Sequence, residues 1–183
     1  FFSVGIPETL INREYSVCSG ENDKTIDFLI REISDGILSK QLRMLKKNDE
    51  VKLLGPYGNF YLENFDTDKK YIFIATGTGI SPFMSLIKTH PQLNYNLYHG
   101  IRYKDDAIVE LPEKNYFKFV SREQTNLPNH YNGRITDNLD DIMSNDKDSF
   151  VFLCGNSLMV TEIYDKMIKH SFKPENIFTE IFF

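Results

Sequence analysis

The stretch YIFIATGTGISPF at residues 71–83 constrains this chain more than any other. A short run that is apolar at nearly every position suits a parallel strand covered on both faces, because a half-exposed strand would alternate. The run breaks at Gly77 and Gly79, and Ser81 and Pro82 then fit the N-cap and first position of a helix. A strand, a glycine turn and a helix in that order predict an α/β unit. The free N–H groups and positive dipole end of the helix face whatever lies above the turn. That geometry suits a phosphate, and it also suits a tight turn with nothing bound. The segment is neither G-x-G-x-x-G nor a Gly-Lys-Ser/Thr loop.

The same rhythm continues to the end of the chain. Apolar runs at 94–101, 116–121, 149–155 and 175–183 read as strands, with helices expected at 81–88, 136–144 and 157–170. Strands alternating with helices predict a doubly wound, five-stranded parallel sheet. Residues 102–115 are short for a crossover helix. The first third reads differently. Runs at 1–6, 13–19, 25–33 and 49–55, separated by turn-rich segments, predict antiparallel β structure interrupted by one helix at 37–47. The expected architecture is therefore two-domain, a partial antiparallel β-barrel at 1–65 followed by an α/β domain at 66–183, with the boundary in the polar stretch ENFDTDKK.

Composition narrows the function. At 183 residues the chain can bury a real core. A net charge of −5 argues against a nucleic-acid partner, and no apolar run is long enough for a membrane span. Cys18 and Cys154 are far apart and outside any CxxC pair, which suits a reducing, cytoplasmic setting and excludes a Cys-rich metal site. His90, His99, His130 and His170 show no metal-ligand spacing, so no metal is expected. The chain opens on Phe1 rather than methionine, which suggests a fragment or a truncated product.

Several residue groups could carry chemistry. CGNSLMV at 154–160 repeats the strand–turn–helix pattern, so its turn should share a sheet edge with Gly77, Thr78 and Gly79. Taken alone, Cys154 reads as a small buried hydrophobe. Arg102 and Arg122 each directly follow an apolar strand, and Arg134 stands in NGRI; together they could clamp a phosphate, or each could be a surface arginine paired with a carboxylate. In REYS, alternation puts Arg13 and Tyr15 on one face and Ser16 on the other. Such a pair suits a phosphate beside a flat ring or an ordinary surface cation–π contact. DGILS at 35–39 suits an anion or simple helix capping.

In this order, R-x-Y-S at 13–16, G-x-L-S at 36–39, T-G-T-G-I-S-P at 76–82, S-R at 121–122, C-G-N at 154–156 and the terminal Glu180, Phe182 and Phe183 resemble the ferredoxin–NADP reductase family, most closely its bacterial flavodoxin/ferredoxin type. The resemblance implies FAD in the first domain and NADP(H) in the second. It implies that Arg13, Glu14, Tyr15 and Ser16 meet FAD, with Arg13 at the pyrophosphate, Tyr15 against the ring system and Ser16 near N5. Leu29, Ile30, Arg31 and Glu32 would line the flavin, and Ile37, Leu38 and Ser39 would wrap its pyrophosphate. Thr78 would touch both cofactors. Gly77, Gly79, Ile101, Arg102, Ser121, Arg122 and Arg134 would hold NADP, with the arginines and Ser121 at the adenosine 2′-phosphate. Cys154, Gly155, Asn156 and Ser157 would border the nicotinamide. Phe182 would stack on the flavin, and Phe183 would sit by the adenine. Ser16, Cys154 and Glu180 would be the catalytic set.

The resemblance also implies ferredoxin or flavodoxin as partner to a monomer. Those carriers are acidic, and Lys40, Arg43, Lys46 and Lys47, with Lys166, Lys169 and Lys173, could dock them or simply be solvated. The expected activity is hydride exchange between NADP(H) and flavin N5 followed by single-electron transfer. The alternatives are a flavin or siderophore reductase, an oxygenase-feeding reductase, and a flavin-free dinucleotide-binding module. The chain departs from the family pattern in lacking about two strands before FFSVGIP, in its short 102–115 connection, and in Phe182, where the family usually has Tyr.

Overall fold

The computed structural model describes residues 1–7, 9–62, 66–109, 111–144 and 147–182. Near the start, apolar residues at spacing two give β1 (Phe2–Gly5), whose Val4 is buried. It pairs antiparallel with β2 (Asn12–Tyr15) on one side and with a later strand on the other. The helix expected next is shorter than its periodicity suggests. It is α1 (Ile37–Met44), anchored by buried Leu38, and Leu45 turns extended and ends it. Then comes β3 (Lys52–Leu54), completing the order β2-β1-β3. The strand expected at 25–33 does not form: a single bridge joins Val17 to Phe28. Beyond that bridge the segment has no ladder partner among the described residues, and Ile26 and Ile33 stay exposed.

The second sheet is wholly parallel. Its strands are β4 (Tyr71–Thr76), β5 (Tyr95–Ile101), β6 (Tyr116–Val120), β7 (His130–Asn132), β8 (Phe150–Asn156) and β9 (Ile177–Phe182). They lie in the order β7-β6-β5-β4-β8-β9. The five strands expected are all present, and β7 adds a sixth at the edge; three polar-leaning residues gave no apolar signal. Between β5 and β6 the connection holds two 3₁₀ turns and no α-helix among the described residues. The helices are α2 (Ser81–Thr89), α3 (Asp140–Met143) and α4 (Ser157–Lys169). The helix expected at 136–144 is only the short α3, preceded by a 3₁₀ turn at Ile135–Asp137. No helix is long and apolar enough to cross a membrane among the described residues.

Alternation along β4 divides the core. Tyr71, Phe73 and Ala75 join Phe83, Leu86 and Ile87 of α2 on one face, while Ile72 and Ile74 join Ile142 of α3 and Val160 and Ile163 of α4 on the other. Because α2 leaves β4 on one side and α4 leaves β8 on the other, the connections that follow these neighbouring strands diverge and leave a crevice beyond their carboxyl ends. That is where an open α/β sheet binds ligands. The first sheet docks on the α2 side. Phe60 is its anchor, 6.0 Å from the Phe83 ring and 5.4 Å from that of Phe152, with Leu29 and Leu62 packed on the same cluster. The expected boundary near residue 65 lies outside the described residues.

Candidate functional site

Two glycine turns meet at the crevice, and their contact explains why glycine is needed there. A Cβ on Gly79 would lie 2.4 Å from the Cys154 carbonyl oxygen, and one on Gly155 only 2.3 Å from Thr76 Oγ1. Gly155 also adopts φ +134 and Gly77 φ +53, conformations that side chains disfavour. The Asn156 N–H donates to Thr76 Oγ1 over 2.9 Å, locking the turns together. Asn156 is the N-cap of α4, its Oδ1 accepting from Leu158 N, while Ser157 begins the helix and is exposed. Ser81 is not the cap expected of it. It is the first residue of α2, and its hydroxyl donates to Thr78 O over 2.8 Å because a 3₁₀ turn at Gly77–Ile80 runs straight into the helix.

Ser16 and Glu180 lie 164 residues apart in sequence, yet the Ser16 hydroxyl donates to Glu180 Oε1 over 2.6 Å. Glu180 stands opposite Cys154 in the β8–β9 register, and Asn156 stands opposite Phe182. Alternation therefore puts Cys154, Glu180 and Phe182 on the face that the first sheet covers. Burial, helped by the Glu180 charge, pushes the Cys154 thiol far above its ordinary range, so it stays protonated. Tyr15 is half-buried at the end of β2; burial pushes its phenol up, with the Arg13 charge opposing. Arg13 and Glu14 are exposed, and the Arg13 guanidinium donates to Asn12 O.

The other FAD-side residues are more dispersed. Leu29 and Ile30 are half-buried and Arg31 is exposed in irregular chain, while Glu32 pairs with Arg43 at 2.8 Å. Ile37 is exposed, Leu38 is buried in the core, and Ser39 Oγ accepts from Ile33 N over 3.1 Å. At the carboxyl edge, Ile101 is buried and Arg102 exposed, and the strands bring the arginines side by side. Arg122 N donates to Arg102 O over 2.9 Å, Ser121 Oγ donates to Ile101 O over 3.0 Å, and Gly133, next to Arg134, donates its N–H to Val120 O. None of the three guanidiniums forms an ion pair among the described residues. Thr78 is half-buried. Phe183 lies outside the described residues.

A cavity of about 350 Å3 opens between the sheets, walled by Ser16, Val17, Pro82, Ser85, Leu86 and Glu180 and by the rings of Phe1, Tyr57, Phe60 and Tyr61. A second, of about 410 Å3, shares Phe1, Gly58, Phe60 and Glu180 with it. Each is within the size of ordinary small-molecule sites, about 300–1,000 Å3. Tyr15, Thr78, Cys154 and Phe182 do not line either. Tyr57, Phe60 and Tyr61 carry no motif; the signal for them is the aromatics interleaved with Gly and Pro in GPYGNFY at 55–61, near a domain junction. No cluster of groups that could hold a metal exists among the described residues. An aromatic-walled cleft of mixed polarity, ending in a hydroxyl–carboxylate pair, fits a flat ring with one polar edge. The glycine turns and unpaired arginines fit a phosphorylated dinucleotide.

The chain matches the oxidoreductase FAD-binding domain family over residues 1–61 and the oxidoreductase NAD-binding domain family over residues 73–165. It is 31% identical to the flavodoxin/ferredoxin–NADP reductase of Buchnera aphidicola subsp. Baizongia pistaciae, over 88% of this chain and 73% of that protein. The chain belongs to the ferredoxin–NADP reductase family. It is likewise 26% identical over its whole length to the toluate 1,2-dioxygenase electron transfer component of Pseudomonas putida, of which it spans 57%. Among solved structures, Amycolatopsis cytochrome P450 reductase GcoB superposes with TM-score 0.85 at 24% identity, covering 99% of this chain and 59% of that one. A mutant ferredoxin–NADP+ reductase from Plasmodium falciparum with 2′P-AMP gives TM-score 0.78 at 22% identity, covering 99% and 82%. The chain thus carries the FAD-binding and NAD-binding oxidoreductase domains of that family.

Proposed function

We propose that this reductase-family chain moves electrons between NADP(H) and a ferredoxin or flavodoxin through FAD. The division between its two cofactor domains would fall near residue 65. The observation that carries the reading is the 2.6 Å bond from Ser16 to Glu180, which joins the two sheets where Cys154 also lies in register. Arg13, Tyr15 and Ser16 would hold FAD together with Leu38, Ser39 and the aromatic cleft; Thr78, Arg102, Arg122, Arg134 and the Cys154–Gly155 turn would hold the nicotinamide coenzyme. When bound, FAD supplies two-electron exchange with a nicotinamide and single-electron release.

The residues themselves position and shield. Ser16 orients the Glu180 carboxylate. The protonated Cys154 thiol offers an uncharged wall beside it, since a buried thiol without its thiolate is no nucleophile. Phe182, half-buried over the same face, keeps water away and must swing aside for a coenzyme ring. The unpaired arginines favour a 2′-phosphate and hence NADP over NAD. For a carrier protein, Lys40, Lys46 and Lys47 are free of ion pairs among the described residues, whereas Lys166 pairs with Glu162 and Lys173 with Asp148. The docking face therefore centres on α1 and the chain just after it.

The match of the whole chain to 57% of the toluate dioxygenase component favours one second reading, a reductase that feeds an oxygenase carrier. The purified protein is expected to be yellow, to bleach on anaerobic addition of NADPH, and to reduce flavodoxin or ferredoxin. A colourless protein that takes up no added FAD refutes the flavin reading. A yellow one that reduces only an oxygenase ferredoxin selects the second.

A further inference from the structure

His99 is a titratable side chain buried beside the coenzyme turn. It stands on β5 between core residues, 2% exposed. Nε2 lies 2.8 Å from the Gly77 carbonyl oxygen and Nδ1 lies 2.8 Å from Tyr116 Oη. The proton positions follow from the partners. A carbonyl oxygen only accepts, so Nε2 carries hydrogen and donates. The Tyr116 phenol is buried and stays protonated, so it donates to a bare Nδ1. The order Tyr116 to His99 to Gly77 is therefore one-directional. Its outer end is fixed too, because Lys118 Nζ sits 4.4 Å over the Tyr116 ring and pairs with Glu113 at 2.8 Å.

That chain sets the plane of one peptide. The bond between Gly77 and Thr78 is trans, so the Thr78 N–H points opposite to the Gly77 carbonyl. With the carbonyl drawn inward to His99, the Thr78 N–H is turned away from the core. In the first turn of its 3₁₀ segment that N–H has no acceptor within the helix. Gly77, at φ +53 with nothing within 4 Å of a would-be Cβ, has no side-chain contact to hold this plane. The hydrogen bond to His99 does so instead.

We infer that His99 is a positioning residue of the coenzyme site, its Nε2 holding the Gly77 carbonyl so that the Thr78 amide donates to the pyrophosphate of a bound nicotinamide dinucleotide. The inference rests on the coenzyme site proposed above. Calorimetry on the purified flavin-containing protein would compare NADP+ with adenosine 2′-monophosphate, which has the phosphate for the arginines but none at the pyrophosphate. His99→Phe should weaken NADP+ binding about tenfold, the scale of one well-placed donor to a charged group, and leave the monophosphate within about twofold. His99→Gln, whose amide can still donate to Gly77, should restore NADP+ binding to within about threefold of wild type. Equal losses for both probes, or a Gln variant as weak as Phe, would overturn the inference. If wild type binds neither probe, the coenzyme site itself fails and the inference with it. If the Phe variant does not fold, ¹⁵N NMR of the wild-type His99 ring decides: hydrogen on Nε2 with bare Nδ1 supports the arrangement, and the opposite tautomer sinks it.

Discussion

Replacing Gly79 by alanine tests whether the two turns must touch for the crevice to exist. The new methyl would lie 2.4 Å from the Cys154 carbonyl oxygen, 2.7 Å from its carbon and 2.8 Å from Gly155 Cα. All three are backbone atoms, so no flexible side chain can yield, and β4 and β8 would have to part by about 1 Å at their ends to restore ordinary contact. Overpacking of this kind costs about 1–3 kcal/mol. For a chain of this size that is a drop in Tm of about 2–12 °C. Gly77→Ala is the control. It meets nothing within 4 Å, but φ +53 strains an alanine, for about 1 kcal/mol. Thermal melts followed by far-UV circular dichroism should rank wild type above Gly77→Ala above Gly79→Ala, and the Gly79 variant should also bind NADP+ more weakly. A Gly79→Ala protein melting within about 1 °C of wild type, or above Gly77→Ala, refutes the reasoning.

Other expectations follow from the same geometry. Ser16→Ala removes the donor of the 2.6 Å bond to Glu180; with about 1.5–3 kcal/mol for a bond to a charged group, kcat should fall about ten- to a hundredfold while flavin content holds, and a kcat within about twofold counts against a catalytic pair. Arg122→Ala with Arg134→Ala should raise KM for NADPH about tenfold and leave KM for NADH nearly unchanged; equal losses would remove the 2′-phosphate clamp. Burial holds the His99 pKa down from 6.5 to about 4, with the Lys118 charge assisting and the Gly77 carbonyl and Asp106 opposing. Between those values the unfolded chain binds a proton that the folded protein refuses, so stability falls as pH drops through that window, by up to about 3 kcal/mol. Urea titrations of His99→Gln should show a shallower dependence from pH 6.5 to 4; an unchanged slope would show that other groups govern acid unfolding.

The α/β half was legible because its signals are local. β4, β5, β6, β8 and β9 each announce themselves by apolar residues that only a covered sheet can hide, and the glycines at 77, 79 and 155 mark turns that tolerate no side chain. The edge strand β7 escaped notice because three residues paired on one side need little burial. In the first third, residues 25–33 look like a strand by composition but find a single bridge, Val17 to Phe28, among the described residues, and β-propensity expresses itself only against a paired neighbour. The cleft was half legible. Ser16 and Glu180 were singled out through the family pattern, while Tyr57, Phe60 and Tyr61 line it from a segment that carries no motif.

The order of motifs along the chain settled the family, the two cofactor domains and the crevice edge, since glycine placement, helix starts and strand hydrophobicity are properties of contiguous residues. Which residues meet across that order was settled only by folding. A hydroxyl at position 16 reaches a carboxylate at 180, a ring at 60 wedges between those at 83 and 152, and a histidine on β5 takes hold of a carbonyl on the neighbouring turn. Hydrogen bonds and ring contacts act over a few ångströms of space regardless of separation along the chain, so no local pattern encodes them. They appear once the strands have been laid side by side.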